Sequence, residues 1–258
     1  RDILILSKGK TKITFKKDLR EKIIEHFSVT KEVENKKVFP YHIDSLHYKD
    51  YYNETLKVLL LHNVLYYVDK MSQNKFPFEL YVGEKWSIEH IVPQNPKNFE
   101  LSNEYSQYKL WFKDQIQFQQ ENLDNTPEEL VNLHKRLEDI SGFEELRKEK
   151  ELKNEIDNLI SNLENKTDLV SNLLLLDRNT NSSLGNLFFE KKREKILKFD
   201  KLGETDENKK VFIPVETLKA FNKTFSNNIE FKHWSNKDGL AYKNSISERL
   251  KDFLPENV

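Results

Sequence analysis

The sequence contains no cysteine among its 258 residues. A chain without thiols forms no disulfide and cannot build the paired Cys-x-x-Cys zinc clusters that brace many small domains. Any bound metal must therefore be held by histidine, carboxylate or amide groups. The absence of cysteine also fits a reducing compartment, so we expect the protein in the cytoplasm.

Long apolar runs and an excess of one charge are missing as well. Apolar runs such as Val58-Leu59-Leu60-Leu61 are far shorter than the roughly 20 residues that cross a bilayer, so no membrane partner is expected. Lysine and arginine number 42 against 43 acidic residues, which gives a net charge of -1. Bulk charge therefore does not indicate a nucleic-acid-binding domain, and contact with phosphates would depend on local patches.

What is present is a globular composition, with 33% charged and 37% hydrophobic residues. This length allows one large or two modest domains. The first residue is Arg1, and an apolar pattern is already under way in residues 2–6, which predicts a chain that continues upstream.

Helical spacing of apolar residues predicts helices in the N-terminal, central and C-terminal parts of the chain. Thr126-Pro127-Glu128-Glu129 combines an N-cap, a proline and a capping-box glutamate, so a helix should start there. Two apolar stripes after it predict an antiparallel helical hairpin, and Ser235 with Asp238 predicts a capped closing helix. The stripes are Leu130, Leu133, Leu137 and Ile140, then Leu152, Ile156, Leu159 and Leu163, and in the closing helix Ile246, Leu250 and Phe253.

Residues 86–96, WSIEHIVPQNP, carry the first candidate for chemistry. Their alternation predicts a short strand that stops near Pro93. Glu89 and His90 at its end are suited to be a metal ligand and a general base. Since adjacent strand residues point to opposite faces, both can serve one site only where the strand ends or twists. Standing alone, the dipeptide would more often be structural.

Residues 171–186, SNLLLLDRNTNSSLGN, carry the second candidate. We predict a buried strand, then a polar loop, then a helix that turns its basic side outward. That basic side contains Lys191, Lys192, Arg193 and Lys195, which is either a solvated helix face or a phosphate contact. Asn172 and Asn181 lie nine residues apart across the strand and loop.

EHIVPQ together with Asn172 and Asn181 resembles the ββα-metal (HNH, His-Me finger) endonucleases. Residues 86–94, the segment SNLLLLDRNTNSSLGNLFFEK and a distal region with Phe212, Trp234 and Asp238 resemble the C-terminal nuclease domain of GmrSD-like restriction proteins. The resemblance implies a mainly helical α+β fold, in which a ββα-metal core is split by a helical hairpin insertion and flanked by helices. The expected segments are an N-terminal helical region (1–75), a nuclease core (76–200) with an insertion at about 100–166, and a C-terminal helical support (201–258).

The resemblance also implies roles for individual residues. His90 would be the general base, Glu89 and Asn181 would hold one Mg²⁺ or Mn²⁺, and Asn172 would hydrogen-bond the loop or the imidazole. Gln94 and Asn186 would support the site, although Asn186 could simply cap the next helix. Phosphate contacts are assigned to Lys191, Lys192 and Arg193.

The function implied is metal-dependent DNA nicking by a bacterial anti-phage restriction protein. One site per chain would cut one strand per event, so a duplex break would need a homodimer or repeated nicking. GmrSD-like proteins carry an upstream nucleotide-hydrolysing or sensor domain with an Asp-Gly-Gln-Gln-Arg signature, and this string does not occur here.

Two alternative functions and one alternative residue role stay open. The chain could be a catalytically silent helical interaction or DNA-binding module with an HNH remnant, or an HNH-type RNase. Trp234 could pack at the start of the closing helix or stack on a base. Five further histidines, His42, His47, His62, His134 and His233, have no spacing that suggests zinc, which favours structural roles.

Overall fold

The computed structural model describes residues 2–27, 31–33, 36–38, 42–69, 75–83, 85–93, 104–120, 128–226, 231 and 234–253. Over these residues the protein is mainly helical with two small antiparallel sheets, which confirms the α+β class. Within them no helix is both long and apolar enough to span a membrane. Gln94, Thr126 and Pro127 lie outside the described residues.

The described residues up to residue 90 lead to the first strand of the central sheet. Its elements are α1 (Asp2–Ser7), α2 (Lys12–Phe27), β1 (Lys31–Val33), β2 (Lys36–Val38), a 3₁₀ turn (Ile43–Ser45), α3 (Tyr52–Asp69), α4 (Phe78–Gly83) and β3 (Trp86–His90). Strand β3 ends at His90, as the position of Pro93 predicted.

The residues after β3 contain an all-helical stretch, the second strand of the central sheet and the closing helices. Its elements are α5 (Tyr105–Gln120), α6 (Glu128–Asp139), α7 (Phe143–Lys148), α8 (Lys150–Thr167), a 3₁₀ turn (Val170–Asn172), β4 (Leu173–Asp177), α9 (Arg178–Leu184), α10 (Phe189–Leu202), α11 (Val215–Phe221) and α12 (Asn236–Leu250).

Strands β3 and β4 pair antiparallel, with Trp86 opposite Asp177 and His90 opposite Leu173. All five residues of β4 are buried, which confirms the predicted buried strand. Its leucines lie in the main hydrophobic core together with residues of α3, α10, α11 and α12. The β3–β4 pair therefore lies within this core, which holds the end of β3 in place.

The predicted polar loop after β4 is wrong, because residues 178–184 form helix α9. The side chain of Asp177 caps it, accepting hydrogen bonds from the backbone N–H groups of Asn179 and Thr180 at 2.9 Å each. A capping carboxylate offsets the weak helix propensity of the polar residues that follow it.

The stretch between β3 and β4 has a hydrophobic core of its own, made of residues 105–156. Leu133, Leu137 and Leu152 are buried in it, as the predicted stripes require. A two-helix hairpin is too small a description, because α5 and α7 also contribute to this core. They add Tyr105, Tyr108, Phe112, Ile116, Phe143 and Leu146.

The closing helix α12 confirms its predicted cap. Ser235 Oγ accepts from the N–H of Asp238 at 3.1 Å, and Asp238 Oδ2 accepts from the N–H of Ser235 at 2.9 Å. Trp234 is 2% exposed and packs against Phe189 and Tyr242. The structure therefore supports the packing role of Trp234 and not the alternative of stacking on a base.

Glu216 joins three helices through a buried charge cluster. Its carboxylate lies 3.2 Å from His62 Nε2 of α3 and contacts Arg249 of α12 and Lys219 of α11. Burial raises the pKa of Glu216, but the contacts of its carboxylate with His62, Arg249 and Lys219 outweigh that effect and hold the pKa at about 2. Because its pKa is lowered in the folded protein, ionised Glu216 stabilises the fold.

Glu216→Gln is expected to lower the free energy of unfolding at pH 7 by about 3 kcal/mol. The folded-state pKa lies below the ordinary value of 4.5, so this contribution is present above that value and is lost as the pH falls toward 2. The variant should therefore also show a flatter loss of stability on acidification. Urea unfolding between pH 7 and 3 measures both effects. Glu248→Gln on α12, whose side chain is 74% exposed, is the control, and identical pH profiles for Glu216→Gln and wild type would contradict the assignment.

Candidate active site

Asn172 fixes the end of β3. Its Oδ1 accepts from the N–H of Val92 at 2.9 Å, and its Nδ2 donates to the carbonyls of Val92 at 3.0 Å and Thr167 at 2.9 Å. The side chain is fully buried. Of the two roles expected for Asn172, the structure shows the bond to the loop and not a bond to the imidazole.

Asn181 lies on α9 and contacts β3 directly. Its Nδ2 donates to Ser87 Oγ at 2.8 Å and to the carbonyl of Ile88 at 3.0 Å. These bonds hold α9 against the strand at the residue before Glu89. Because the amide nitrogen is used on the strand, the amide oxygen is the atom of Asn181 suited to a metal ion.

Glu89 is 5% exposed and is paired with Lys192 of α10. Lys192 Nζ lies 2.5 Å from Glu89 Oε1 and 2.5 Å from the carbonyl oxygen of His90. Burial raises the pKa of Glu89, and the charge and hydrogen bond of Lys192 oppose that rise. The predicted metal ligand thus already has a cation beside it.

The expectation that Lys192 lies on an outward basic face is wrong, because its side chain is 1% exposed. Arg193 is half-buried, donates from Nε to the carbonyl of Phe221 at 3.0 Å and lies 4.5 Å over the ring of Phe231. Lys191 is exposed and pairs with Glu194 at 2.7 Å. Of the three predicted phosphate contacts, Lys191 is the one whose position suits that role.

The imidazole of His90 is held by Asp168, a residue that the sequence did not single out. His90 Nε2 lies 3.0 Å from Asp168 Oδ1, and the ring of Tyr48 packs edge-on with its centroid 4.6 Å from that of His90. Burial lowers the pKa of His90, and the hydrogen bond and charge of Asp168 oppose that shift. A neutral imidazole near pH 7 is the form that a general base requires.

The other oxygen of Asp168 faces two further side chains. Asp168 Oδ2 lies 3.8 Å from His47 Nε2 and 3.6 Å from Lys49 Nζ. No sequence spacing indicates this group, since residues 47–49 precede Asp168 by about 120 positions. A backbone bridge between His47 and Leu169 brings the two segments together.

Glu89 and His90 contact different elements, as the pleat of a strand requires. Glu89 faces α10, whereas the His90 ring faces Tyr48 and Asp168. Burial, and after it the charges of Tyr52, Asp168 and Glu89, raise the pKa of Tyr48. Lys192 Nζ contacts both strand residues, through the carboxylate of Glu89 and the backbone carbonyl of His90.

The oxygen ligands available suit a small, hard divalent ion. The described residues contain no group of three or more histidine or acidic side chains that could hold a metal. Mg²⁺ commonly takes one or two protein carboxylates and keeps several waters, so one carboxylate and one amide are a compatible pair. Such an ion would have to share Glu89 with Lys192 or displace it.

Asn186 lies in the turn between α9 and α10 and is half-buried. It is not the N-cap of α10, since Phe188 holds that position. The alternative role expected for Asn186 as a helix cap is therefore wrong, and its support of the site stays a prediction.

No known protein family model, curated protein or solved structure matches this chain.

Proposed function

We propose that this chain is a divalent-metal-dependent endonuclease domain that nicks DNA, with β3, β4 and α9 as its ββα-metal core. One observation carries the proposal. The β3–β4 pair and α9 place Asn181 in hydrogen bonds with Ser87 and Ile88, directly before Glu89 and His90. Residues more than 90 positions apart in the sequence thereby lie together at the end of one strand. They are of the types that phosphodiester hydrolysis needs.

Each residue has a defined task in this proposal. His90 accepts a proton from the attacking water, and Asn172 keeps the strand end in place through Val92. Glu89 and Asn181 would hold Mg²⁺ or Mn²⁺ through their side-chain oxygens. The bound ion would neutralise charge on the phosphate and on the departing oxygen.

The biological setting follows from the resemblance to GmrSD-like restriction proteins. In that setting the chain cuts foreign DNA in the bacterial cytoplasm and leaves 5′-phosphate and 3′-hydroxyl ends. Target choice belongs to an upstream nucleotide-hydrolysing or sensor domain of the same protein. A single site nicks one strand, so a duplex break requires a homodimer or repeated nicking.

A nicking assay tests the proposed activity. Supercoiled plasmid is incubated with the protein and Mg²⁺ or Mn²⁺, with EDTA and metal-free samples alongside. We expect the nicked circle to form with either metal and not with EDTA. A parallel single-stranded RNA substrate tests the RNase alternative, and cleavage of RNA without cleavage of DNA would replace the proposal by that reading.

The Lys192–Glu89 pair favours a second candidate, a catalytically silent module that retains an HNH remnant. In such a module the buried ammonium of Lys192 takes the place of the metal ion. This candidate predicts that neither metal supports cleavage and that neither changes the melting temperature of the protein. Metal-dependent nicking rejects it.

Asn181→Ala is expected to raise the Mg²⁺ concentration for half-maximal nicking by about tenfold, because one oxygen ligand and the tether to β3 are lost. Plasmid nicking across a Mg²⁺ titration measures the change. Asn179→Ala is the matched control, since Asn179 lies on the same helix with an exposed side chain. Equal Mg²⁺ dependence in the two variants would exclude Asn181 as a ligand.

A further inference from the structure

We infer that Asp168 is the positioning residue of His90, and that it fixes the neutral imidazole with its proton on Nε2. This assignment makes Nδ1 the atom that accepts a proton in the reaction. The statement about the tautomer stands on the geometry of these two side chains. The statement about the reaction rests on the proposed nuclease function.

The hydrogen bond between the two residues defines the tautomer. Asp168 Oδ1 lies 3.0 Å from His90 Nε2, within ordinary hydrogen-bond distance. With Lys49 Nζ 3.6 Å from its other oxygen, the Asp168 carboxylate acts as the acceptor, so the ring nitrogen is the donor. A neutral imidazole carries one N–H, and Nδ1 is then left with its lone pair.

The backbone around Asp168 is held on both sides, which fixes the carboxylate. The Asp168 carbonyl accepts from the N–H of Tyr48 at 2.9 Å, and the Leu46 carbonyl accepts from the N–H of Val170 at 3.2 Å. Asn172 Nδ2 donates to the carbonyl of Thr167 at 2.9 Å. Asn172 therefore positions the base indirectly, through the backbone next to Asp168.

Packing and charge restrict the pair further. The Asp168 side chain is fully buried, whereas 12% of the His90 side chain remains exposed. The edge-on ring of Tyr48 limits rotation of the imidazole. Lys49 Nζ, 3.6 Å from Asp168 Oδ2, places a positive charge beside the buried carboxylate. The arrangement holds Nε2 against the buried carboxylate while part of the His90 side chain stays exposed.

Selective ¹⁵N labelling of histidine tests the inference without an activity assay. Ring ¹⁵N–¹H spectra at pH 8 distinguish the two neutral tautomers, and a His90→Gln sample identifies the His90 signals. We expect wild-type His90 to be protonated on Nε2. In Asp168→Asn the amide can donate to Nε2 as well as accept from it, so a detectable fraction should carry the proton on Nδ1.

Nicking kinetics supply the second readout. Asp168→Asn should lower kcat at least about tenfold with little change in the KM for plasmid. Asp50→Asn is the control, because it removes the same charge near His47 from a side chain that is 74% exposed. Its spectrum and rate should match those of the wild type.

Several outcomes would overturn the assignment. A wild-type His90 protonated on Nδ1 rejects it, and so does a tautomer that Asp168→Asn leaves unchanged. If Asp168→Asn does not fold, the wild-type spectrum alone decides. Wild-type protein that nicks no DNA but shows the Nε2–H tautomer would reject the proposed function and keep the positioning role, so the two failures are distinguishable.

Discussion

His90→Ala is expected to lower metal-dependent nicking by about 10²–10⁴-fold, the range that removal of a general base produces. The two acidic groups beside the ring cannot take over its role. Among the described residues, Glu89 is engaged by Lys192, and Asp168 is buried behind the ring. The residual activity would come from the metal ion alone.

His90→Gln separates the loss of the base from damage to the fold. Alanine leaves the buried carboxylate of Asp168 without its hydrogen bond, whereas glutamine can keep an N–H donor to that oxygen. Glutamine has no basic nitrogen, so both variants should lose nicking activity to a similar extent, while only His90→Ala loses appreciable stability. Initial rates of nicked-circle formation and thermal melts measure the two effects.

His134→Gln is the matched control, because it removes an imidazole from helix α6 of the separate 105–156 core. Its nicking rate should equal that of the wild type. A wild-type nicking rate in both His90 variants would show that His90 is not the general base, and it would contradict the proposed site.

Features that depend on local pattern could be predicted from the sequence. The short strand β3, the buried strand β4 and the capped helix α12 each follow from alternation, an apolar run or a capping box. The placement of Asn172 and Asn181 beside the Glu89–His90 strand was implied by the resemblance to ββα-metal endonucleases, and both side chains contact the backbone of that strand or of the loop after it. Asp177 is an N-cap residue that could have predicted α9, but the polar residues after it led to the prediction of a loop.

Features that depend on distant partners could not be predicted. A lysine in a charged run is usually solvated. Lys192 is instead buried against Glu89, and this pairing could not be predicted because the two residues are 103 positions apart in the sequence. Asp168 carries no spacing that connects it to His90, 78 residues earlier. The contribution of α5 to the second core likewise depends on packing between helices, which no single stripe specifies.

Lys192→Met is expected to reduce the free energy of unfolding by about 3–5 kcal/mol, the usual cost of removing one partner of a buried ion pair. The substitution keeps a long flexible chain but removes the ammonium that contacts Glu89 and the carbonyl of His90. Glu89 is 5% exposed, so water cannot replace the lost charge. Urea unfolding at pH 7 measures the change.

A double-mutant cycle assigns the loss to the pair. The double variant Glu89→Gln/Lys192→Met should lose less unfolding free energy than the sum of the losses in the two single variants. In the double variant no buried charge is left without a partner. Lys191→Met is the matched control on the same helix. Its surface pair with Glu194 should contribute no more than about 1 kcal/mol. Additive losses at Glu89 and Lys192 would contradict the pairing.

Divalent metal then distinguishes the two candidate functions through the same variant. If Glu89 holds the ion in the nuclease, removing the competing ammonium should let Mn²⁺ stabilise Lys192→Met more than it stabilises the wild type, since a ligand that binds only the folded state raises stability by mass action. Glu89→Gln/Lys192→Met should not respond, because the carboxylate is gone. If Mn²⁺ stabilises neither the wild type nor Lys192→Met, Glu89 and Lys192 are a structural ion pair, and the chain is the silent module rather than the nuclease.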